Sequence, residues 1–325
     1  MRRLALTLLL MAALFLCGCS AGQDPPGATP ANALLLGFSQ LGSESAWRLG
    51  STRSIEEAAQ RHGVDLMLEN ANQRQEKQID AIRSFIAYRV DVIAFSPIVE
   101  EGWDNVLTEA KSAGIPVILV DRLIDTQDES LYAAYIGADF YQEGVNAGEY
   151  LLRKADELGA ESLAIAEITG TVDSTPMRQR QLGFHDTLAG DGRFHVLESV
   201  SGDFLRTKGK ECMEYLLEKY GDEIDVLYVH NDAMTLGALE VLEGAGLRAG
   251  EEVVVISVDG EQAAIDLLIE GKINCVVECT PELGDMVMEV ARKLANGEPV
   301  DKVTHPVEEV FTEYDDLSNL APRGY

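Results

Sequence analysis

From residue 33 onward the chain alternates short apolar runs with segments whose apolar residues recur every three or four positions. The short runs are typical of strands and the periodic segments of amphipathic helices, so their alternation predicts βαβ units and parallel sheets. The candidate strands are ALLLGFSQ, VDLMLEN, VDVIAFSP, IPVILVDR, LYAAYIG, SLAIAEITG, RFHVLESV, IDVLYVHND, EVVVISVDG, INCVVECT and KVTHPVEEVF. Ten or eleven strands imply two sheets, and their Val/Ile/Leu-rich centres indicate burial on both faces.

A faint internal repeat supports two similar halves. VDVIAFSP, a helix and GIPVILVDR in the first half correspond to IDVLYVHND, a helix and EEVVVISVDG in the second. Predicted helices include AWRLGSTRSIEEAAQRHG, RQEKQIDAIRSFIAYR and FLRTKGKECMEYLLEKYG. Beyond the first 32 residues the chain has about 290 residues, which suits two lobes of ordinary domain size. The predicted fold class is therefore α/β, with two Rossmann-like lobes, each built on a parallel sheet.

The first residues have the pattern of an export signal. MRR is basic, LALTLLLMAALFL is apolar, and LCGC ends the segment at Cys19. The apolar stretch is shorter than the roughly 20 residues of a membrane span, so residues 1–18 are predicted to be a signal peptide. LCGC resembles the bacterial lipobox, which implies a diacylglycerol group on Cys19; an ordinary cleaved signal peptide with an incidental cysteine is the alternative. Residues 19–32 are Pro/Gly-rich and predict a flexible, lipidated tether that holds an exported protein at the cell membrane.

Charge excludes one class of partner. The full chain carries a net charge of −29, and loss of residues 1–18 removes two arginines and no acids, which gives −31. Such a surface repels phosphate backbones, because nucleic-acid binding depends on cationic groups that release counterions. We therefore expect no nucleic-acid partner.

Cysteine and histidine usage gives no sign of a cofactor. Beyond the predicted signal peptide and tether, the cysteines are Cys212, Cys275 and Cys279. The last two are four residues apart in a predicted strand, hence roughly 13 Å apart, too far for a disulfide. All three are interpreted as small buried hydrophobic residues. The five histidines are scattered, and neither HExxH nor Cys-x-x-Cys occurs, so no metal site and no cofactor are predicted.

Polar residues follow several predicted strands, where ligands collect in parallel α/β sheets. In GFSQLGSESAWR, Glu44, Trp47 and Arg48 lie between the first strand and the next helix. Ser43 or Ser45 could simply cap that helix, but a cap does not explain a Trp beside an Arg. Asp121-Arg122 directly follows IPVILV, where buried charges need partners or a ligand. A solvated turn is the alternative for this pair.

The second half repeats this chemistry. Asn231 follows IDVLYVH and Asp259 follows EVVVISV, although Asn-Asp before a helix is also an ordinary cap. Arg180 in TPMRQRQLGF is predicted on a helix that faces the same region, and Phe204 in SGDFLRTKGK is a candidate stacking ring. A solvated Arg and a core Phe are the alternatives. Adjacent carboxylates and guanidinium groups suit a polyol, whose hydroxyl groups both donate and accept hydrogen bonds.

Several of these segments together resemble the type I periplasmic sugar-binding proteins, the ribose- and galactose-receptor group, and especially its galactofuranose-binding members. The matching segments are GFSQLGSESAWR, QEKQIDAIRSFIA, GWDNVLTEAKSAGIPVILVDR, SGDFLRTKGKE, YVHNDAMTLGALE, SVDG, VECTPELG and the closing GY. The resemblance implies sugar-binding roles for Glu44, Trp47, Arg48, Asp121, Arg122, Arg180, Phe204, Asn231, Asp259 and Glu278. Asp173 and Pro176 depart from the expected pattern, which leaves the exact sugar open.

The resemblance also implies an architecture and partners. The expected lobes are residues 33–138 plus 281–306 and residues 139–280 plus 307–325, joined by a three-strand hinge in the type I periplasmic binding protein fold. A monomer is expected to capture a monosaccharide by closing around it and to deliver the sugar to an ABC permease, without catalysis. A sensor that presents its closed form to a chemoreceptor or histidine kinase is the alternative. The effector-binding core of a transcriptional repressor is another alternative, but it would need a DNA-binding segment and a basic face. A glycosidase is a further alternative, and it would use paired carboxylates for hydrolysis.

Overall fold

Twelve strands form two sheets in the part of the chain that this computed structural model describes, residues 33–325. The strands are β1 Leu35–Gln40, β2 Asp65–Asn70, β3 Val92–Phe95, β4 Val117–Val120, β5 Ala134–Ile136, β6 Leu163–Thr169, β7 Phe194–Ser201, β8 Val226–Val229, β9 Val254–Asp259, β10 Cys275–Glu278, β11 Val303–Thr304 and β12 Val310–Thr312. The predicted signal peptide, tether and lipid-bearing Cys19 lie outside the described residues.

Helices separate most of these strands. They are α1 Ala46–His62, α2 Gln75–Tyr88, α3 Asp104–Ser112, α4 Phe140–Leu158, α5 Thr175–Leu188, α6 Arg206–Tyr220, α7 Asp232–Gly244, α8 Gln262–Ile269 and α9 Gly284–Ala295. Local sequence sets several of their ends: Ser45 caps α1, whose last turn closes on left-handed Gly63, and Asn231 caps α7. Within residues 33–325 no helix combines the length and apolar character needed to cross a membrane.

The two sheets share one topology, as the internal repeat predicted. Their strand orders are β11-β5-β4-β3-β1-β2 and β12-β10-β9-β8-β6-β7, so β4 and β9 occupy equivalent places. All pairings between these strands are parallel except that of β12 with β10, which is antiparallel. The α/β class with two parallel-dominated sheets is confirmed.

One predicted strand divides in two. KVTHPVEEVF supplies β11 to the first sheet and β12 to the second. Pro306 lies between them, and proline has no N–H to donate to a strand ladder, so the chain leaves one sheet there before joining the other.

Three segments connect the sheets: residues 137–139, 279–283 and 305–309. They contact one another directly. His305 Nδ1 lies 2.7 Å from the Gly137 carbonyl oxygen, and the Thr280 N–H donates to Glu308 Oε1 at 2.8 Å. The connections therefore form one hydrogen-bonded bundle, which we call the hinge.

Apolar clusters cover both faces of each sheet. In the first sheet, one cluster lies under α1 and α9 and another under α2 and α3; in the second, one lies under α6, α7 and α8 and another under α4 and α5. Cys275 and Cys279 belong to this buried core, as predicted, whereas Cys212 is only half-buried. The prediction was wrong for Cys212 because it lies on α6 at the edge of its cluster, with its thiol 3.4 Å from the Ser201 carbonyl oxygen.

Glycines let α4 and α5 approach each other closely. A Cβ on Gly144 would clash with the Arg180 carbonyl oxygen, and a Cβ on Gly183 would clash with the Tyr141 carbonyl oxygen. Backbone atoms cannot move aside as a flexible side chain can, so these two glycines set the spacing of the helix pair. Arg180 lies at this contact, and its position therefore depends on it.

We expect Gly183→Ala to lower the free energy of unfolding by about 1–3 kcal/mol, because the added methyl group forces α5 away from α4. Urea denaturation measures the loss. Gly192→Ala is the matched control, since a Cβ there meets nothing within 4 Å; its effect should stay within about 0.5 kcal/mol. Equal midpoints for the Gly183 variant and the parent would contradict the close-packing argument.

Candidate functional site

A cavity lies between the two sheets at the carboxyl ends of their strands. The residues that line it are Glu44, Ser45, Trp47, Arg48, Asp121, Arg122, Pro176, Arg180, Phe204, Asn231, Asp259 and Cys279. Every predicted site residue except Glu278 is thus brought to one place.

Arg48 organises the half of the cavity that the first sheet supplies. Its Nε donates to Glu44 Oε1 at 3.1 Å, and its Nη1 lies 2.8 Å from Asp121 Oδ2. Nη1 also lies within hydrogen-bond distance of Gln40 Oε1 and Ser96 Oγ. The Ser45 hydroxyl caps α1 by accepting from the Arg48 N–H, as the cap interpretation proposed. Cap and cavity roles therefore coincide in this turn.

Arg122 is buried without an equivalent set of partners. Its Nη1 donates to the Ile98 carbonyl oxygen at 2.9 Å, but its Nε is 3.9 Å from Asp121 Oδ2 and has no hydrogen-bond partner. Burial and the nearby Arg48 guanidinium lower the pKa of Arg122 to about 10. Burial also opposes the charge on Arg48, but Asp121 and Glu44 more than offset it and raise the Arg48 pKa. This half of the cavity therefore contains one well-neutralised cation and one poorly neutralised cation.

Arg180 reaches the cavity from α5 in the other half. Its Nε donates to Glu143 Oε2 at 2.6 Å, its Nη1 donates to the His230 carbonyl oxygen, and its Nη2 lies 3.9 Å from Asp259 Oδ1. Burial and the neighbouring carboxylate of Asp232 raise the pKa of Asp259 well above its usual range, despite the opposing effect of Arg180. Asp259 is therefore not paired with Arg180 at hydrogen-bond distance.

Asn231 and Phe204 hold each other in place. Asn231 Oδ1 accepts from the Met234 N–H at 3.0 Å, which caps α7, and Asn231 Nδ2 donates to the Phe204 carbonyl oxygen at 3.5 Å. Phe204 has a left-handed φ of 61°, and its ring lies over Gly170, where a Cβ would clash with it. The Arg122 guanidinium is 5.2 Å from the Phe204 ring centroid, so this ring and a cation from the other half meet across the cavity.

The two halves contact each other around the cavity. The Trp47 indole Nε1 donates to the Cys279 carbonyl oxygen at 2.5 Å, and the Trp47 backbone N–H donates to Glu261 Oε1 at 3.0 Å. On another side, Arg178 Nη2 pairs with Glu100 Oε1 at 2.8 Å. The Thr175 hydroxyl exchanges hydrogen bonds with the backbone of Leu123. The structure therefore represents a closed arrangement.

Glu278 does not line the cavity. Its Oε1 pairs with Arg323, and its Oε2 accepts from the Glu309 N–H at 2.8 Å. Side chains alternate between the two faces of a strand, and Glu278 is the last residue of β10, where its carboxylate turns toward the chain beyond β12. The structure thus places this predicted site residue among structural contacts.

Several lining and supporting residues were not predicted as site residues from the sequence. Pro176 and Cys279 line the cavity, and Cys279 also supplies the carbonyl group that Trp47 contacts. Glu143 supports Arg180 from α4 without lining the cavity. One signal could have revealed Glu143: a charged residue on the same helix face as Phe140 and Ala147, both of which are fully buried.

One cluster in the described residues has the composition of a metal site. Glu143, Cys279 and Glu308 bring one ligand atom each within 4.8 Å of one another. However, Arg180 donates to the Glu143 carboxylate, and a cation already bound there repels a metal ion. The arrangement favours an ion pair at the hinge rather than metal coordination.

Arg48 is well neutralised and Arg122 is not, so their substitution should change the free energy of unfolding in opposite directions. Arg122→Leu should raise the free energy of unfolding by about 1–3 kcal/mol in the absence of a ligand, because it removes a buried, poorly paired charge. Arg48→Leu should lower it by about 3–5 kcal/mol, because Glu44 and Asp121 lose their partner. Chemical denaturation of both variants is the measurement. Destabilisation of similar size in the two variants would show that the charges are not neutralised as described.

Comparison with known proteins places this architecture in a family. Residues 36–299 match the model of the periplasmic binding protein domain. The galactofuranose-binding protein YtfQ of Escherichia coli is 38% identical over 262 residues, which cover 80% of this chain and 81% of that protein. A Mycobacterium smegmatis structure in complex with β-D-fucofuranose is 44% identical, with a TM-score of 0.84 and coverage of 87% and 92%. The arabinose-transporter binding protein of Shewanella sp. ANA-3, bound to L-arabinofuranose, is 38% identical, with a TM-score of 0.83 and coverage of 86% and 92%. The chain belongs to the periplasmic binding protein family and has its type I, two-lobed α/β fold.

Proposed function

We propose that this protein is an extracytoplasmic sugar receptor that captures a monosaccharide in its furanose form and delivers it to an ABC permease. The observation that carries the proposal is the cavity itself, in which carboxylate and guanidinium groups from both sheets converge beside two aromatic rings. Such a set matches a ring with several hydroxyl groups and apolar C–H faces. The relatives named above are binding proteins, which favours capture over catalysis.

Closure of two lobes is the proposed mechanism. We take the lobes to be residues 33–138 plus 281–306 and residues 139–280 plus 307–325, which rotate about the hinge. A sugar that contacts both lobes binds the closed form better than the open form, and therefore shifts the population toward it. The permease would then recognise the closed form of a monomeric receptor.

The ring form is the more specific part of the proposal. Two relatives of known structure are bound to five-membered sugar rings, β-D-fucofuranose and L-arabinofuranose. In this chain, Trp47 and Arg48 lie next to each other in one turn, with the guanidinium 4.6 Å from the indole centroid, and both line the cavity. A furanose ring is smaller across than a pyranose ring and suits such a site. Galactofuranose and similar furanoses are the proposed ligands.

Direct identification of the bound sugar tests the proposal. The protein should retain a sugar during purification, or bind D-galactose, D-fucose or L-arabinose in calorimetry, and a crystal structure of the complex should show a furanose ring. Furanose forms are minor in free hexose solutions, so the apparent affinity for total D-galactose should be weak. A well-ordered pyranose, with galactofuranose unable to compete, would exclude the furanose form. Absence of binding to any sugar would exclude the receptor function.

Asp121→Ala should weaken binding of the same sugar by roughly 30-fold or more, because Arg48 and the sugar hydroxyl groups lose a buried partner, typically at a cost of about 2–5 kcal/mol. Calorimetry on the folded variant measures the loss. Glu109→Ala is the control, since it removes an exposed ion pair with Arg83 and should leave affinity unchanged. Parental affinity in the Asp121 variant would show that the sugar lies elsewhere.

Membrane attachment through Cys19 is a separate part of the proposal. Cys19→Ala should prevent lipid transfer, so the variant should leave the membrane fraction or keep its leader. Cys17→Ala is a matched control, because Cys17 lies in the same LCGC segment but is not the expected lipid carrier. Fractionation and mass spectrometry of the mature N-terminus distinguish the variants. Unchanged membrane fractionation of Cys19→Ala would refute the lipid anchor.

A further inference from the structure

Arg180 is the cavity residue whose position depends most clearly on a group outside the cavity. It is 3% exposed, and its side chain has several rotatable bonds, so fixed contacts are needed to hold its guanidinium in one place. Two of its nitrogens are held, by Glu143 Oε2 at 2.6 Å and by the His230 carbonyl oxygen. The third, Nη2, is 3.9 Å from Asp259 Oδ1, beyond hydrogen-bond distance. Nη2 is therefore the Arg180 nitrogen that can still donate a hydrogen bond at the cavity wall.

Glu143 is buried behind the cavity, at 2% exposure, and α4, which carries it, begins directly after the first hinge segment, residues 137–139. Its Oε1 has no hydrogen-bond partner. Near this carboxylate lie the Cys279 thiol and the Glu308 carboxylate, each with an atom within 4.8 Å of the other two groups. Cys279 and Glu308 belong to the second and third hinge segments, so Glu143 joins Arg180 to the point where all three segments meet.

We propose that Glu143 is a positioning residue of the sugar site, which holds the Arg180 guanidinium toward the sugar and away from Asp259. This inference rests on the proposed function. A buried guanidinium without a carboxylate partner is strongly disfavoured. If Glu143 is removed, the nearest remaining carboxylate is that of Asp259, at 3.9 Å. Arg180 then pairs with Asp259, and both groups are withdrawn from the sugar at once.

Burial acts against both charges of the ion pair between Glu143 and Arg180. It raises the pKa of Glu143, although the adjacent Arg180 guanidinium opposes the rise. Burial by itself lowers the pKa of Arg180, but the adjacent Glu143 carboxylate more than offsets it and keeps the pKa well above its ordinary value. Asp259, by contrast, has a raised pKa because it is buried and close to other acids, which is the condition of a carboxyl group not fully paired with Arg180. Glu143 therefore leaves the Asp259 carboxyl group available to a hydroxyl group.

The test compares two substitutions of Glu143 with a control on the same helix. Glu143→Ala should weaken binding of L-arabinose or D-galactose at least 30-fold. Glu143→Gln should recover most of the loss, to within about fivefold of the parent, because its carbonyl oxygen still accepts from Arg180 Nε. Lys154→Ala removes the ion pair between Lys154, which is buried, and Glu313, which is exposed; Lys154 Nζ and Glu313 Oε1 are 2.8 Å apart. That control should lower the melting temperature and leave affinity within twofold.

Two results of the binding measurements would overturn the inference. One is parental affinity in Glu143→Ala. The other is a loss of affinity in both Glu143→Ala and Lys154→Ala that is proportional to the fall in melting temperature. That result would show a purely structural role for Glu143. A crystal structure of sugar-free Glu143→Ala gives a reading that does not require the ligand to be known: Arg180 should move to within hydrogen-bond distance of Asp259, and an unmoved Arg180 would refute positioning. Failure of the parent to bind sugar would count against the proposed function instead.

Discussion

The site depends on one constraint: three guanidinium groups are buried around a single cavity, and each must be compensated without help from bulk water. Arg48 lies between Glu44 and Asp121, and Arg180 lies beside Glu143. Arg122 has a carbonyl group, a distant carboxylate and the face of the Phe204 ring. Such charges are costly to bury, so the fold supplies carboxylates from several elements to meet them. The arrangement that results is polar and suits a ligand that donates and accepts hydrogen bonds.

Duplication of one sheet plan brings these groups together. Asp121 follows β4 and Asp259 ends β9, which are the equivalent strands of the two sheets, so the same type of residue faces the cavity from both sides. The helices must then pack closely enough to bring Arg180 to the same space. Gly144 and Gly183 allow this, because their missing side chains let the backbones of α4 and α5 approach. Helix spacing and charge compensation are thus coupled at Arg180.

Strand-end chemistry explains what could be predicted from sequence. Polar residues directly after buried strands must lie at one edge of a parallel sheet, so Asp121, Asn231 and Asp259 were accessible to that reasoning. Glu143 was not, because its contact with Arg180 spans 37 residues and depends on the register of two helices. The Cys279 contact with Trp47 uses a backbone carbonyl group, which no residue type reveals. The position of Glu278 outside the cavity could not be predicted for a related reason, since the side chain of a strand's last residue can face either side of the sheet.

Backbone strain adds a second energetic cost at the cavity. Asp121 has a φ of 66° and Asp259 a φ of 123°, and Phe204 is also left-handed. Non-glycine residues in this region are strained by roughly 1–3 kcal/mol when the surrounding structure imposes it. Together with the poorly paired Arg122, this strain makes the walls of the cavity less stable than their packing alone would suggest. In the proposed mechanism, a polyol pairs with the polar groups only when both halves contact it. The cost of leaving those groups unpaired is then what makes the proposed closure depend on the ligand.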